Sequence, residues 1–218
     1  MRYVLHETGS RDGSLFDVLP FAQRLVPLAG ARDAGEVDEL LYVLEGAARA
    51  TVEGESHELR PGTAVFVARG HAWSANGDGQ ALSVLVRDPA PSSRSHEVVD
   101  LTDAERAGAT AGRRFVLGPR CESATQFVGL VPPGRAPDHF HTYDEVIYIL
   151  EGQGVLYAAG EESELRPGSC IHLPARLVHC LANTGDDELR LLGVFRPAGS
   201  PAEAYYPDGT PVVVVEDA

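Results

Sequence analysis

The sequence predicts an all-β protein built from two copies of one barrel unit. Three observations predict it. Helical periodicity is nearly absent. Runs of four to eight β-forming residues recur, cut by Gly, Pro and Asp. The chain also repeats itself: residues 39–62 read ELLYVLEGAARATVEGESHELRPG and residues 145–168 read EVIYILEGQGVLYAAGEESELRPG, an ungapped offset of 106 with 12 of 24 positions identical.

Taken in order, the first unit places strands at Leu40–Leu44, Ala64–Ala68 and Leu82–Val86. Each carries the Val, Leu, Ile, Phe or Tyr content of a pleated, half-buried surface. Between strands, LEG and RPG act as turn signals, with Gly supplying positive φ and Pro presetting the corner before it. DPAPSSRS at 88–95 is linker-like, so the domain boundary is expected near residue 95: an N-terminal barrel over 1–95 and a C-terminal barrel with a tail over 96–218. The one short helix candidate is Leu101–Arg106. The second unit repeats the strands at Phe127–Val131, Val146–Leu150, Ile171–Leu173 and Leu189–Phe195. In the Pro-broken tail, Val212–Val215 is expected to cover a sheet edge, since a bare Val strand invites aggregation. Tyr205 and Tyr206 are candidates to close a barrel mouth.

Composition bounds the partners. The 218 residues carry a net charge of −14, which repels phosphate backbones and anionic membranes. No nucleic acid and no membrane partner is expected, and no apolar run reaches the length of a span. Three scattered cysteines do not make a disulfide scaffold. The opening MRYVLHETGSRDG lacks the apolar stretch of a secretory signal, so a cytoplasmic protein is expected.

Chemistry concentrates in the second unit. His139 and His141 are two apart, which on a strand puts both rings on one face. Glu145 follows across a short turn, and His179 arrives from a later strand. Three imidazoles and a carboxylate suit one divalent transition metal and leave positions open for substrate. Gly134, His139-x-His141, Glu145 and Gly152, followed by Pro174, His179 and Asn183, resemble the two motifs of the cupin superfamily, with Arg176 standing where the pattern usually has Gly. The resemblance implies a bicupin: two tandem double-stranded β-helix barrels, jelly-roll-like, with the metal motif of quercetinase-like and oxalate-degrading members in the C-terminal barrel. It implies His139, His141, Glu145 and His179 as metal ligands. It favours Fe(II) or Mn(II), while Ni, Cu and Zn fit the same donors.

At the offset of 106 the first unit has lost this set. His139 maps to Asp33, His141 to Gly35, Glu145 to Glu39 and His179 to Trp73. The N-terminal barrel is therefore expected to hold no metal, with Trp73 filling the former metal position and His71 a loop histidine. One ion per chain follows.

Around the metal, Glu145 is expected to take a proton as well as to ligate. His172 and Tyr157 are the other candidate catalytic residues, His172 for its strand spacing and Tyr157 for sharing the parity of Glu145. Arg176, Phe127 and Gln126 are candidate substrate contacts, with one of the last two facing the barrel interior. Cys180, which alternation turns away from the ion, reads as a packed thiol. The leading function is a metal-dependent enzyme acting on a small organic molecule by dioxygen-dependent oxidation or cleavage of a phenol or enol. The alternatives are a non-redox metal-dependent isomerase, lyase or hydrolase, and a metal-containing binding protein without turnover. A homodimer is expected.

Overall fold

The computed structural model describes residues 3–6, 13–32, 35–109, 111–117 and 121–213. Nineteen strands run through them: β1 (Val4–His6), β2 (Ser14–Val18), β3 (Phe21–Pro27), β4 (Gly30–Arg32), β5 (Asp38–Val52), β6 (Glu55–Leu59), β7 (Thr63–Val67), β8 (Trp73–Val86), β9 (His96–Asp100), β10 (Glu105–Ala107), β11 (Arg113–Val116), β12 (Thr125–Val131), β13 (Gly134–Arg135), β14 (Asp144–Glu151), β15 (Gly154–Ala158), β16 (Glu161–Leu165), β17 (Ser169–Leu173), β18 (His179–Asn183) and β19 (Leu189–Arg196). Every strand pair is antiparallel. The fold is all-β, with one barrel per unit. No helix of the described residues is long and apolar enough to cross a membrane.

The N-terminal barrel orders its strands β2-β3-β8-β5-β7-β9, with β4 on β8 and β6 on β5. The C-terminal barrel consists of a seven-stranded sheet, β1-β17-β14-β19-β12-β11-β10, and a four-stranded sheet, β13-β18-β15-β16. The duplication extends to backbone irregularities. A register shift falls between Val43 and Glu45 in the first barrel and between Ile149 and Glu151 in the second, again 106 apart. The glycines of both turn signals have positive φ, +83° at Gly46 and +87° at Gly152, +94° at Gly62 and +84° at Gly168.

Each barrel closes over its own apolar core. Leu28, Leu41, Val43, Val65, Val67 and Trp73 fill the first. Ile147, Ile149, Leu156, Ile171, Leu189 and Phe195 fill the second. Burying each such side chain contributes about 1.5–3 kcal/mol before entropy is counted.

Two expectations need correction. The boundary does not fall at residue 95. β9 and the turn after it stay with the N-terminal barrel, and so does the later segment Cys121–Ala124. β1 belongs to the C-terminal barrel, where Val4 pairs with Ile171. Hydropathy marks strands but carries no information on which edge a short strand joins. The helix candidate is a single 3₁₀ turn, Leu101–Asp103, capped by Asp100, whose carboxylate accepts from the Thr102 amide at 3.0 Å. Ala104 is already extended and the chain enters β10. In the tail, the Val212 backbone N–H donates a hydrogen bond to the Ala204 carbonyl at 2.9 Å. Val214 and Val215 lie outside the described residues.

Candidate metal centre

His139 and His179 face each other across a two-residue bridge, each amide donating to the other's carbonyl at 3.0 and 2.8 Å. Two residues on, His141 shares the face of His139. The three rings converge, with centroids 4.9 Å apart for His139–His141, 4.5 Å for His139–His179 and 5.3 Å for His141–His179. One ligand nitrogen from each lies within 4.8 Å of the other two.

Backbone carbonyls set the tautomers. Nδ1 of His139 lies 2.7 Å from the Pro137 carbonyl, Nδ1 of His141 2.7 Å from that of Glu203, and Nδ1 of His179 2.9 Å from that of Leu177. A carbonyl only accepts, so each Nδ1 carries the proton and each Nε2 keeps its lone pair. Burial pushes all three imidazoles down from their ordinary pKa, His141 to about 4 and His179 well below its usual range. They are therefore neutral at pH 7, the form that binds a metal ion.

Glu145 lines the same cavity from β14. Burial raises its carboxyl to about 7, against the opposing pull of Arg114. Its carboxylate stands outside the tight cluster, which consists of the three imidazoles. Room for it comes from Gly193 on β19. A Cβ there would meet the Phe127 ring at 2.4 Å and Glu145 Oε1 at 3.0 Å.

The walls are apolar: Phe127, Val131, Ile147, Leu156, Leu173 and Leu191. Three polar features had no signal in the sequence motifs. Arg114 on β11 reaches the cavity, its guanidinium 5.5 Å above the Phe127 ring. Its neighbour Arg113 instead pairs with Glu188 at 2.8 Å. The register explains the choice, because Arg114 sits opposite Gly129, where a Cβ would come within 3.1 Å of its guanidinium. Tyr143 stacks on His141 at 4.6 Å and on Phe195 at 4.0 Å, and burial holds its hydroxyl protonated, well above the usual tyrosine range. The tail supplies the Glu203 carbonyl to His141 and places Pro201 on the cavity wall. It is fastened by Tyr205, which exchanges two backbone bonds with Phe140, both 2.9 Å, and stacks on its ring at 5.6 Å. Asn183 has a structural part. Its amide donates to the Val131 and Asp187 carbonyls at 2.8 and 2.7 Å, fixing the β18–β19 turn.

Of the remaining site candidates, only Phe127 lines the cavity. Gln126 is buried on the opposite face of β12, as strand alternation requires. His172 faces away from Leu173, which is the wall residue on β17, and its backbone amide donates to the Tyr3 carbonyl at 2.9 Å. Tyr157 lies on the outer face of β15, beneath the Arg135 guanidinium at 4.9 Å, while Leu156 points inward. Parity counted from Glu145 fails there because the register shift after Ile149 and the Gly152 turn intervene. Arg176 is exposed and outside the cavity. Its φ of +65° accounts for the glycine usual at that position. Cys180 is buried, its thiol 2.9 Å from the Ala136 carbonyl.

The equivalent mouth of the N-terminal barrel is built differently. Trp73 donates its indole N–H to Glu39 at 3.1 Å, Ser83 donates to the other carboxylate oxygen at 2.6 Å, and Arg32 stands 3.8 Å from it and 5.0 Å over the indole. The retained carboxylate is thus occupied by protein donors. His71, a loop residue at this mouth, is 3.0 Å from Glu53. Asp33 lies outside the described residues.

Comparison with known proteins identifies the family and the fold. The family described as "Cupin domain" matches residues 30–86 and 126–195, more than half of the chain. Quercetin 2,3-dioxygenase of Bacillus subtilis (strain 168) is 35% identical over 81 residues, 33% of this chain and 24% of that protein. The polyketide synthase CurC of Streptomyces cyaneus is 33% identical over 101 residues, 44% of this chain and 66% of that one. The chain thus spans less than two thirds of these relatives' lengths. Among solved structures, the protein Ylba from E. coli superposes with a TM-score of 0.72 at 17% identity, covering 88% of this chain and 89% of that one. The oxalate decarboxylase of Lactobacillus farciminis, solved as a formate complex, gives 0.68 at 14% identity, covering 90% and 86%. At these identities the structural likenesses concern the fold.

Proposed function

The chain belongs to the cupin family, and from that premise we propose that its C-terminal barrel is a metal-dependent enzyme site for dioxygen-dependent oxidation or cleavage of a small phenol or enol. The observation that carries the reading is the set of three converging imidazoles, His139 and His179 buried and His141 half-buried, each with Nδ1 pinned to a carbonyl and Nε2 turned to a common point. Such donors fit a borderline divalent ion, with His139, His141 and His179 holding it and Glu145 available as an oxygen ligand. The bound ion would supply Lewis acidity and, as Fe(II) or Mn(II), access to dioxygen. Manganese is in keeping with one structural neighbour: a Bacillus subtilis oxalate decarboxylase with Mn(II) centres superposes with a TM-score of 0.66 at 14% identity, covering 89% of this chain and 77% of that one.

The chain's own residues then have distinct parts. The apolar walls exclude water and accept a ring or an enol face. Glu145, raised to about 7, takes the proton of a bound hydroxyl at its carboxylate oxygen. Arg114, close enough to influence Glu145, His139 and His141, favours the resulting oxyanion. Tyr143 stays protonated and holds the His141 ring by stacking.

A second reading rests on Glu145 standing outside the imidazole cluster. A free carboxyl of that pKa suits proton transfer in a non-redox isomerase, lyase or hydrolase. Oxygen-electrode assays of the iron- and manganese-loaded protein against a panel of small phenols and enols separate the two. Oxygen uptake matched to substrate loss, abolished in His139→Ala, supports the oxidative reading. Substrate conversion that proceeds equally under nitrogen, or with zinc in the site, overturns it in favour of the second.

A further inference from the structure

A second histidine cluster lies away from the mouth of the N-terminal barrel. His57 on β6 and His96 on β9 bring their Nε2 atoms to 3.1 Å, and Glu55 Oε2 lies 3.5 Å from His96 Nε2 and 4.0 Å from His57 Nε2. None of the three lines the mouth. We infer that Glu55, His57 and His96 form a second divalent-metal site of the zinc class, independent of the C-terminal centre.

The dimensions carry the inference. A point equidistant from three atoms with these separations lies about 2.1 Å from each, which is the length of a zinc–imidazole or zinc–carboxylate bond. Two nitrogens and one oxygen suit a borderline ion, and water completes a tetrahedron. The ring centroids stand 5.2 Å apart with planes inclined at 71°, while the Nε2 atoms are only 3.1 Å apart, so both Nε2 atoms are turned toward the shared space. Ser95 Oγ lies 3.0 Å from His96 Nδ1 and is able to accept its proton, the tautomer in which His96 Nε2 is free to ligate. The site is half-buried: the His96 side chain is 8% exposed and that of His57 24%, while Glu55 is open to solvent and closes over the ion from outside.

Place in the fold gives the ion a purpose. β6 pairs only with β5, and β9 only with β7, among the described strands, so both are edges. The two histidines are 39 residues apart in sequence. An ion between them clips two edge strands together and closes a long loop, which favours the folded barrel by constraining the unfolded chain. Aligning the two mouths predicts one ion per chain because that comparison is blind to side chains on the outer strands.

The test uses the full chain with the C-terminal centre removed, His139→Ala/His179→Ala, and zinc(II) alone as probe. Equilibrium dialysis with metal analysis should give one zinc per chain, and the melting temperature should rise on adding zinc. Adding His57→Gln should abolish both effects. Adding Glu55→Ala instead, at an exposed position, should weaken zinc binding about tenfold or more. Melting in EDTA, where the three proteins should agree, shows that the folded barrel survives the substitutions. Should His57→Gln melt lower in EDTA, Glu55→Ala decides alone. No zinc bound by the parent, or binding unchanged in both added variants, means a hydrogen-bonded histidine pair only and overturns the site.

Discussion

A carboxyl raised by burial and three imidazoles lowered by it pull stability in opposite directions as pH changes. Glu145 in the folded protein holds its proton up to about pH 7, while the unfolded chain releases it near the ordinary carboxylate range. In metal-free protein this group weakens the fold as pH rises through that window. The imidazoles do the reverse. His139, His141 and His179 refuse protons in the fold and accept them when unfolded, so their contribution is full above about pH 6.5 and is lost as pH falls. Three groups outweigh one, so the metal-free protein should lose stability on going from pH 6.5 to 5. In Glu145→Gln the opposing proton is gone, and that loss should steepen by up to about 1.4 kcal/mol per pH unit. Urea melts of chelated protein at stepped pH measure it. A variant whose pH profile matches the parent would show that Glu145 is not held protonated by burial.

At the scale of elements, the tail is the part of the centre least visible in the chain. Residues 200–212 have no regular pattern, yet they hold His141 through the Glu203 carbonyl, and Tyr205 locks them to Phe140. A chain ending after Ser200 should keep both barrels, since no barrel strand comes from the tail. It should bind metal about 10–100-fold more weakly, as loss of a ring-orienting hydrogen bond predicts. Competition against a chromophoric chelator reads the change, and unaltered affinity would mean that the tail carbonyl does not orient His141. The strands around the centre were legible because their apolar runs are dense: Val146–Leu150 and Leu189–Phe195 fall within β14 and β19. Short strands such as β1, β10 and β11 were not, since three or four residues carry no period. Arg114 was lost with β11. Which of two adjacent arginines enters a cavity depends on the strand's register against Gly129, and register is a property of the sheet.

Across the whole molecule, one unit has been written twice and used differently each time. The repeat and its turns could be read directly from residues 39–62 and 145–168, and so could the absence of histidines from the first unit's positions equivalent to 139, 141 and 179. The hydrogen bonds that replaced them could not, because Trp73 and Ser83 reach Glu39 from 34 and 44 residues further along the chain. Positions 73 and 179, each opening a strand and 106 apart, make the division testable. His179 is buried among other imidazoles that disfavour its charge, and its side chain contributes donor chemistry more than packing. Trp73 is 4% exposed, packs in the core of its barrel and caps Glu39. His179→Ala should therefore abolish metal binding at the C-terminal centre while shifting the melting temperature of the metal-free protein little. Trp73→Ala should leave that centre's metal content and affinity unchanged, yet destabilise the protein by about 3–5 kcal/mol, the cost of emptying a large aromatic site. That cost includes the Glu39 carboxylate left without its indole donor. Metal analysis and urea melts on the two variants form one experiment. If Trp73→Ala lost metal from the C-terminal centre, or His179→Ala unfolded the metal-free chain, the assignment of packing to one mouth and ligation to the other would be wrong.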